Sequence, residues 1–266
     1  MDILVSIVVL AVSVYLLGII TDEYFIASLD QISKKLRIPS NVAGASFMAV
    51  GSSAPELAIA LLALVVASGS HSDMGIATIV GSAIFNILVI TGVSAIARPA
   101  VITWRVVVRD VVMYTISIAV LLAVFANGEI TIWEAAIFLV IYGGYILVLF
   151  NWDAFVPDGE EDPIDTVSQE IASERERPGI YFRVTALVSR GIGLLMGDPH
   201  QSYGRTFLVS IALISFLSYW LVEYAVIFAE AINFPPYIVA LTVLAAGTSV
   251  PDLFASVVVA RQGRGD

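Results

Sequence analysis

Long apolar runs alternate with short polar connections along this chain. Five runs contain no charged residue: Ile3 to Ile20, Met74 to Ala97, Val111 to Asn127, Ala135 to Trp152, and Thr206 to Val222. Two more carry a single central acid: Ile38 to Ser70 and Ala231 to Ala260. Every run is near or above the roughly 17–25 residues that a membrane-spanning helix needs, and the runs are apolar nearly all round. The pattern therefore predicts an all-α integral membrane protein with seven spanning helices.

The composition supports this prediction and narrows the function. The chain has 266 residues, 59% of them hydrophobic, and a mean hydropathy of +0.93, values that lie outside the soluble class. It has no cysteine, so neither a disulfide nor a cysteine–zinc site is expected. No nucleophile–base pair, nucleotide-binding loop or basic patch stands out. We therefore expect neither an enzyme nor a nucleic-acid-binding protein, no cofactor, and membrane lipid as the surrounding partner.

The basic residues are distributed unevenly between the connections. All 13 Lys and Arg residues follow odd-numbered spans, and the even-numbered connections contain none. By the positive-inside rule, the N-terminus lies outside and the odd-numbered connections are cytoplasmic, whether the membrane is the plasma membrane or an internal one. The longest connection, residues 151–204, carries nine acids between Asp153 and Glu176 and is predicted to be an acidic cytoplasmic loop. Within it, the apolar stretch from Val184 to Met196 is either a surface helix or a short buried turn.

Two acids, Asp22 and Glu23, follow the first apolar run directly. We interpret these acids as the end of the first helix on the cytoplasmic side. An alternative role for them is to attract cations to an inner vestibule.

Two short segments repeat one pattern of glycine, two hydroxyl residues, proline, acid and leucine. They are Gly51-Ser52-Ser53-Ala54-Pro55-Glu56-Leu57 and Gly247-Thr248-Ser249-Val250-Pro251-Asp252-Leu253. Each acid lies in the middle of an apolar run, where its insertion costs about 2.5–3.5 kcal/mol, and therefore indicates a function. The preceding proline is predicted to break the helix and to free main-chain carbonyls. Acids, hydroxyls and bare carbonyls are the hard oxygen ligands that Na⁺ and Ca²⁺ prefer.

The two segments also share their surroundings. When Gly51 is placed on Gly247, Pro39 coincides with Pro235. The segments lie on the second and seventh predicted spans, which cross the membrane in opposite directions. This arrangement predicts an inverted-repeat transporter bundle with one ion site near the membrane midplane, shared by both halves.

The third span carries a companion segment, Gly81 to Asn86. Ser82 and Asn86 are four residues apart and therefore share a helix face. This face can supply a hydroxyl and an amide carbonyl to an ion held by Glu56. Ordinary small-residue helix packing is the alternative interpretation.

Several of these segments, taken together, carry a family resemblance. They are Asp22 to Phe25, Val42 to Ala49, both repeat copies, Gly81 to Asn86, and Arg109-Asp110. In this set the chain resembles the cation/calcium exchanger superfamily, most closely its potassium-dependent sodium/calcium exchanger branch, in which the second repeat carries an aspartate. The resemblance implies a secondary active antiporter that exchanges Na⁺ for Ca²⁺ by alternating access, with or without K⁺ co-transport.

The resemblance also implies which residues hold the transported ions. The implied side chains are Ser52, Ser53, Glu56, Ser82, Asn86, Thr248, Ser249 and Asp252. The implied main-chain carbonyls are those of Ala49 and Ala245. Glu56 would be the carboxylate shared by Ca²⁺ and Na⁺, and Asp252 would complete the Ca²⁺ site and favour a K⁺ requirement. Residues 1–150 would form the first exchanger membrane region with five spans, and residues 205–266 the start of the second.

One departure from the family concerns the end of the sequence. The family continues with three further helices, one of which carries another ligand segment, so seven of an expected ten helices are present before Asp266. We therefore expect a fragment or split product, truncated within the second repeat, that requires the missing helices or a second polypeptide. The alternatives are a non-transporting subunit and a K⁺-independent or H⁺-driven Ca²⁺ exchanger.

Overall fold

The computed structural model describes residues 2–38, 40–65, 72–97, 104–126, 128, 130–151 and 180–262. Within these ranges all regular structure is helical. Six helices are long and apolar enough to cross a membrane, and one bent pair makes a seventh if it counts as a single span. The prediction of an all-α integral membrane protein is confirmed, with six to seven spans. Pro39 and the acids from Asp153 to Glu176 lie outside the described residues.

Helix α1 is longer than its apolar run. It is α-helical over Asp2–Ile19, π-helical over Ile20–Phe25 and again α-helical over Ile26–Lys35. The stretch Ile3–Lys35 has 33 residues, which at 1.5 Å per residue gives about 50 Å, against a hydrocarbon thickness of about 30 Å.

The prediction that the first helix ends at Asp22 and Glu23 is therefore wrong. Both acids lie inside α1, in its π-helical stretch. The helix continues past them because it packs against other helices there: Thr21 and Tyr24 are buried, and Phe25 stacks on Phe207 with ring centroids 5.4 Å apart. These helix–helix contacts continue α1 past the two acids.

The first repeat copy lies on two helices that meet at an angle. Helix α2 comprises Ser40–Ala43, the π-helical stretch Gly44–Met48, and Ala49–Ser52, and helix α3 comprises Ala54–Val65. The bend between them is 58°, so the predicted break is confirmed for this copy. Pro55 is the second residue of α3. In the first turn of a helix the main-chain N–H groups have no partner within the helix, so the missing N–H of proline costs no hydrogen bond there.

The remaining helices follow in chain order. They are α4 (Ser72–Ile84, π-helical Phe85–Ile90, Thr91–Ala97), α5 (Trp104–Phe125), α6 (Ile132–Phe150), α7 (Ile180–Met196), α8 (Tyr203–Ala231) and α9 (Pro236–Val239, π-helical Ala240–Leu244, Ala245–Gln262).

The second repeat copy lies on α9, and here the predicted helix break is wrong. The α-helical part of α9 continues through Pro251 to Gln262. A proline removes one main-chain hydrogen bond, and membrane helices tolerate this loss where neighbouring helices surround the proline. The ring of Pro251 lies against Gly18 of α1, where an added Cβ would be 2.9 Å from Pro251 Cγ.

The two copies nevertheless share a structural feature. The offset that places Gly51 on Gly247 also places the π-helical stretch Gly44–Met48 on the π-helical stretch Ala240–Leu244. π-helical turns are rare and occur frequently at functional sites. Their equivalent positions, each directly before a glycine–hydroxyl segment, support the repeat that the sequence predicts.

Helix α8 forms the centre of the bundle. It packs along α1 and against α3. Its buried residues are mostly small: Thr206, Ser210, Ile214, Ser218, Leu221, Val222, Ala225 and Ala229. Small residues let membrane helices approach closely. Helices α5 and α6 are peripheral by comparison, because only 6% of the apolar stretch of each helix is buried.

Helix α7 resolves the alternative left open for the stretch from Val184 to Met196: it is a 17-residue helix. Leu187 and Leu195 are exposed, whereas Val188 and Ile192 pack against the core and Met196 is fully buried. Helix α7 thus packs one side on the bundle and leaves the leucines of the other side exposed.

Candidate cation-binding site

The Glu56 carboxylate is the centre of the site. Glu56 lies in the first turn of α3, where the positive end of the helix dipole stabilises an acid, and only 9% of it is exposed. Ser82 Oγ of α4 donates a long hydrogen bond of 3.5 Å to Glu56 Oε1, and the Thr248 hydroxyl of α9 also interacts with the carboxylate. The second oxygen, Oε2, is buried without a hydrogen-bond partner among the described residues.

The hydroxyl residues at equivalent repeat positions make the same local bond. Ser52 Oγ donates to the carbonyl oxygen of Ala49 at 3.2 Å, and Thr248 Oγ1 donates to that of Ala245 at 3.3 Å. Thr248 Oγ1 also lies 3.2 Å from the carbonyl oxygen of Leu244. Ser52 uses its proton on its own helix, whereas the one proton of Thr248 is shared between main-chain carbonyls of α9 and the Glu56 carboxylate. The lone pairs of both hydroxyl oxygens remain available to a cation.

The Asp252 side chain lines a small, partly open cavity between the two repeats and α1. The repeat residues around it are Ser52, Pro55, Thr248, Pro251 and Asp252. Helix α1 contributes Val14, Leu17, Gly18, Thr21 and Asp22. The cavity is therefore lined by both repeat prolines, both equivalent hydroxyl residues and two acids.

The predicted site residues do not all share this buried setting. Ser82, Thr248 and Ser249 are buried, and Ser249 Oγ lacks a hydrogen-bond partner within the described ranges. Ser53 and Asn86 are exposed. The structure thus brings Ser82 to Glu56, whereas Ser53 and Asn86 stay predicted ligands outside the buried cluster.

The predicted ligand set contains no residue of α1, although Thr21 and Asp22 line the cavity. Asp22 was predicted to end the first helix, with the attraction of cations to an inner vestibule as its alternative role. The available signal was a hydroxyl and an acid directly after an apolar run, which would have marked the site if the helix had been extended past Ile20. Among the residues that the structure describes, no three His, Asp or Glu side chains converge closely enough to hold one metal ion.

This chain matches the family described as Sodium/calcium exchanger protein over residues 5–151 and 204–266. The chain belongs to the sodium/calcium exchanger family. The two matched parts contain both repeat copies and all ten predicted ligand positions, so the Glu56–Asp252 site lies wholly within the family region. The resemblance that the sequence motifs indicated is confirmed.

Relatives within the exchanger family support the potassium-dependent branch. The chain is 31% identical to human sodium/potassium/calcium exchanger 5, an alignment covering 94% of this chain and 63% of the relative. It is 44% identical to mouse sodium/potassium/calcium exchanger 4 over 51% of this chain and 22% of the relative. It is 41% identical to chicken (Gallus gallus) sodium/potassium/calcium exchanger 1 over 50% of this chain and 20% of the relative.

The exchanger-family chain thus spans less than two thirds of the length of these curated relatives. The relatives are transporters by name, in agreement with the expectation of a non-enzyme. No solved structure matches the chain.

Proposed function

We propose that the chain forms the ion-exchanging membrane part of a secondary active antiporter. It exchanges Na⁺ for Ca²⁺ across the membrane, with K⁺ co-transported, by alternating access around Glu56 and Asp252. The names of the relatives, sodium/potassium/calcium exchangers, support this choice of ions.

The observation that carries the proposal is the setting of Glu56. A buried carboxylate with one oxygen lacking a partner is unfavourable inside a bilayer, and a bound cation would remove that cost. Hydroxyls from α4 and α9, Ser82 and Thr248, surround the same carboxylate. A carboxylate with hydroxyls is an oxygen ligand set suited to Na⁺ and Ca²⁺.

The remaining predicted ligands have a place in this proposal. Ser52, Thr248 and Asp252 line the cavity next to Glu56, and Ser249 is a buried hydroxyl on the same helix. Ser53, Asn86 and the carbonyls of Ala49 and Ala245 are proposed as ligands that reorient toward the ion during exchange. A ligand set contributed by both repeats lets one repeat move relative to the other around a fixed site.

The topology proposal follows from the basic residues. The N-terminus lies outside, and residues 151–204 form a cytoplasmic connection between the two exchanger membrane regions, 1–150 and 205–266. The acidic stretch of that connection contributes no ligand to the exchange site in this proposal.

Cation binding by the purified chain tests the central assignment. Ca²⁺ should raise the thermal unfolding temperature of the wild-type protein in detergent or lipid nanodiscs, because a ligand that binds only the folded state stabilises it. Glu56→Gln should abolish this effect. Glu230→Gln, which neutralises an exposed acid at the end of α8, serves as the matched control. Normal Ca²⁺ stabilisation of folded Glu56→Gln would contradict the proposal.

Counterflow in proteoliposomes then identifies the driving ion. Ca²⁺ uptake is measured against an outward Na⁺ gradient with and without K⁺, and separately against a pH gradient. Uptake that requires both Na⁺ and K⁺ supports the proposal. Uptake driven by the pH gradient alone would favour the H⁺-driven alternative, and Na⁺-driven uptake that is unchanged by K⁺ would favour the K⁺-independent one.

A further inference from the structure

The outer side of α7 is exposed beside the bundle. Val188 and Ile192 of this helix pack on the core. On the opposite side, Leu187 is 75% exposed and Leu195 is 58% exposed, and Arg190 is exposed one turn after Leu187. Leucines and basic residues on the exposed side of a helix are typical of helices that lie in the interfacial layer of a membrane.

The contact between α7 and α1 gives the depth of α7 in the membrane. The Tyr24 hydroxyl of α1 donates to the carbonyl oxygen of Ser189 at 2.6 Å, and it would lie 3.1 Å from a Cβ added at Gly193. At 1.5 Å per residue, Tyr24 is about 32 Å along the helix from Ile3, where the apolar run begins. This length matches the hydrocarbon thickness of about 30 Å. Helix α7 therefore meets α1 at the level where the lipid headgroups begin.

Arg205 of α8 marks the same level. Its Nη2 donates to the carbonyl oxygen of Leu195, near the end of α7, at 3.1 Å, where a cation also interacts favourably with the helix dipole. Leu208 follows Arg205 by one turn on the same side of α8 and is 67% exposed. The apolar outer surface of α8 thus begins directly after Arg205, as expected for an arginine at the headgroup level.

The charges of Arg190 and Arg205 are not balanced within the described part of the chain. Neither arginine forms an ion pair with an acid there. The acids that adjoin α7 have other partners: Asp198 accepts a main-chain N–H at 2.9 Å, and Glu23 accepts a hydrogen bond from Ser189. The exposed side of α7 therefore combines apolar side chains with positive charge.

We propose that this side of α7, with Arg190 and with Arg205 of α8, binds the phosphate headgroups of anionic lipids. Leu187 and Leu195 insert among the upper acyl chains. The surface is separate from the Glu56 site, and lipid binding does not depend on which ions are exchanged.

The acidic stretch from Asp153 to Glu176 is the other source of negative charge for these arginines. The exposed leucines favour lipid, because a membrane surface supplies anionic headgroups and an apolar layer together at the depth of α7. The acidic stretch supplies mainly charge.

The test uses a fluorescent probe on α7. The chain has no cysteine, and a Cβ added at Gly191 meets nothing within 4 Å, so Gly191→Cys accepts an NBD label on the exposed side. The labelled full chain is reconstituted in phosphatidylcholine nanodiscs. These contain increasing fractions of either doxyl-labelled phosphatidylglycerol, which is anionic, or doxyl-labelled phosphatidylcholine, which is not. We expect half-maximal quenching at a several-fold lower fraction of the anionic lipid.

Arg190→Gln and Arg205→Gln should each raise the phosphatidylglycerol fraction for half-maximal quenching by about fivefold, the effect of one basic residue near an anionic surface. Arg190→Lys retains the charge and should keep most of the preference. The matched control is Lys34→Gln, which removes a cation that already pairs with Asp30 at 2.9 Å and should leave the quenching curve unchanged.

Three results would overturn the proposal. The first is equal quenching by the two lipids in the wild-type chain, and the second is a pair of arginine variants that behave like Lys34→Gln. The third is a probe that neither lipid quenches, since protein, such as the acidic stretch, would then cover α7. If Arg205→Gln does not fold because its bond to Leu195 is lost, Arg190→Gln alone decides.

Discussion

Gly81 lies directly against the main-chain carbonyl of Leu241. A Cβ added to Gly81 would be 2.2 Å from that oxygen and 2.6 Å from the Cβ of Ala245. The contact joins α4 to the π-helical stretch of α9 and immediately precedes Ser82, the hydrogen-bond donor to Glu56. The separation of α4 from α9 at this point therefore sets the position of a proposed ligand.

We expect Gly81→Ala to destabilise the protein by about 1–3 kcal/mol, since an added methyl group forces backbone to move in a packed interior. It should also weaken Ca²⁺ binding, because a displaced α4 moves Ser82 away from Glu56. Gly92→Ala on the same helix is the control: nothing lies within 4 Å of an added Cβ there, and alanine favours the helix by roughly 1 kcal/mol. Thermal unfolding and Ca²⁺ titration of both variants measure the difference. Equal stability of the two variants would refute the contact.

Ser82→Ala tests the hydrogen bond to Glu56 itself. Loss of one hydrogen bond to a charged group costs roughly 1.5–3 kcal/mol, so we expect Ca²⁺ affinity to fall at least tenfold. Ser94, on the same helix, has a buried hydroxyl without a partner in the described part of the chain. Ser94→Ala should leave Ca²⁺ affinity unchanged. A Ser82→Ala variant that binds Ca²⁺ like wild type would remove Ser82 from the ligand set.

Asp252 is predicted to govern the K⁺ requirement more than Ca²⁺ affinity. Aspartate is one methylene shorter than glutamate and leaves more room in the site, and selectivity among hard cations follows cavity size and ligand number. Asp252→Asn should therefore reduce K⁺ dependence more than it reduces Ca²⁺ affinity, whereas Glu56→Gln should remove Ca²⁺ binding. The measurement is Na⁺-driven Ca²⁺ flux across a K⁺ titration. Identical wild-type flux with and without K⁺ would show that the potassium-dependent assignment is wrong.

The orientation can be measured with single cysteines, because the chain has none of its own. Gln201 precedes α8 and Ile130 precedes α6, and both are exposed. The positive-inside rule predicts that Ile130→Cys reacts with an impermeant thiol reagent in intact cells and that Gln201→Cys does not. After permeabilisation both should react. The reverse labelling pattern would invert the proposed topology.

Helix α7 is predicted to be held on the bundle by Tyr24. The Tyr24 hydroxyl donates to the carbonyl oxygen of Ser189 at 2.6 Å, and Ser189 Oγ donates to Glu23. Tyr24→Phe should therefore loosen α7 and speed tryptic cleavage at Arg190 by a few fold, since one such hydrogen bond contributes about 1 kcal/mol. Tyr219→Phe, at an exposed position of α8, should not change the cleavage rate. Equal rates for both variants would count against the docking.

The apolar runs predicted the spanning helices because a bilayer requires continuous apolar length. They predicted helix ends poorly. Helix α1 passes through Asp22, and α8 passes through Glu223, although both apolar runs end before those acids. An acid ends a span only where lipid surrounds the helix, and packing against neighbouring helices is a tertiary property that the local sequence does not show.

The repeat motif predicted the two carboxylates and their hydroxyls because their chemistry is local. The α1 contribution was not predictable in this way, since Thr21 reaches the cavity only through the packing of Gly18 on Pro251. The two prolines show the same limit. Each precedes an acid in an equivalent segment, yet the helix bends by 58° beside Pro55 and continues through Pro251.

The paired π-helical stretches have a geometric consequence for the site. A π turn contains one more residue than an α turn, and one residue corresponds to about 100° of rotation around a helix axis. In α2, the part before Gly44–Met48 is therefore rotated relative to the part after it. The same holds in α9 for the parts before and after Ala240–Leu244. Deleting one residue from Gly44–Met48 would restore a regular helix and swing the following glycine–hydroxyl segment out of phase with the cavity. The spacing of this single turn, together with the chemistry of the motif, would then determine which way the proposed ligand residues face.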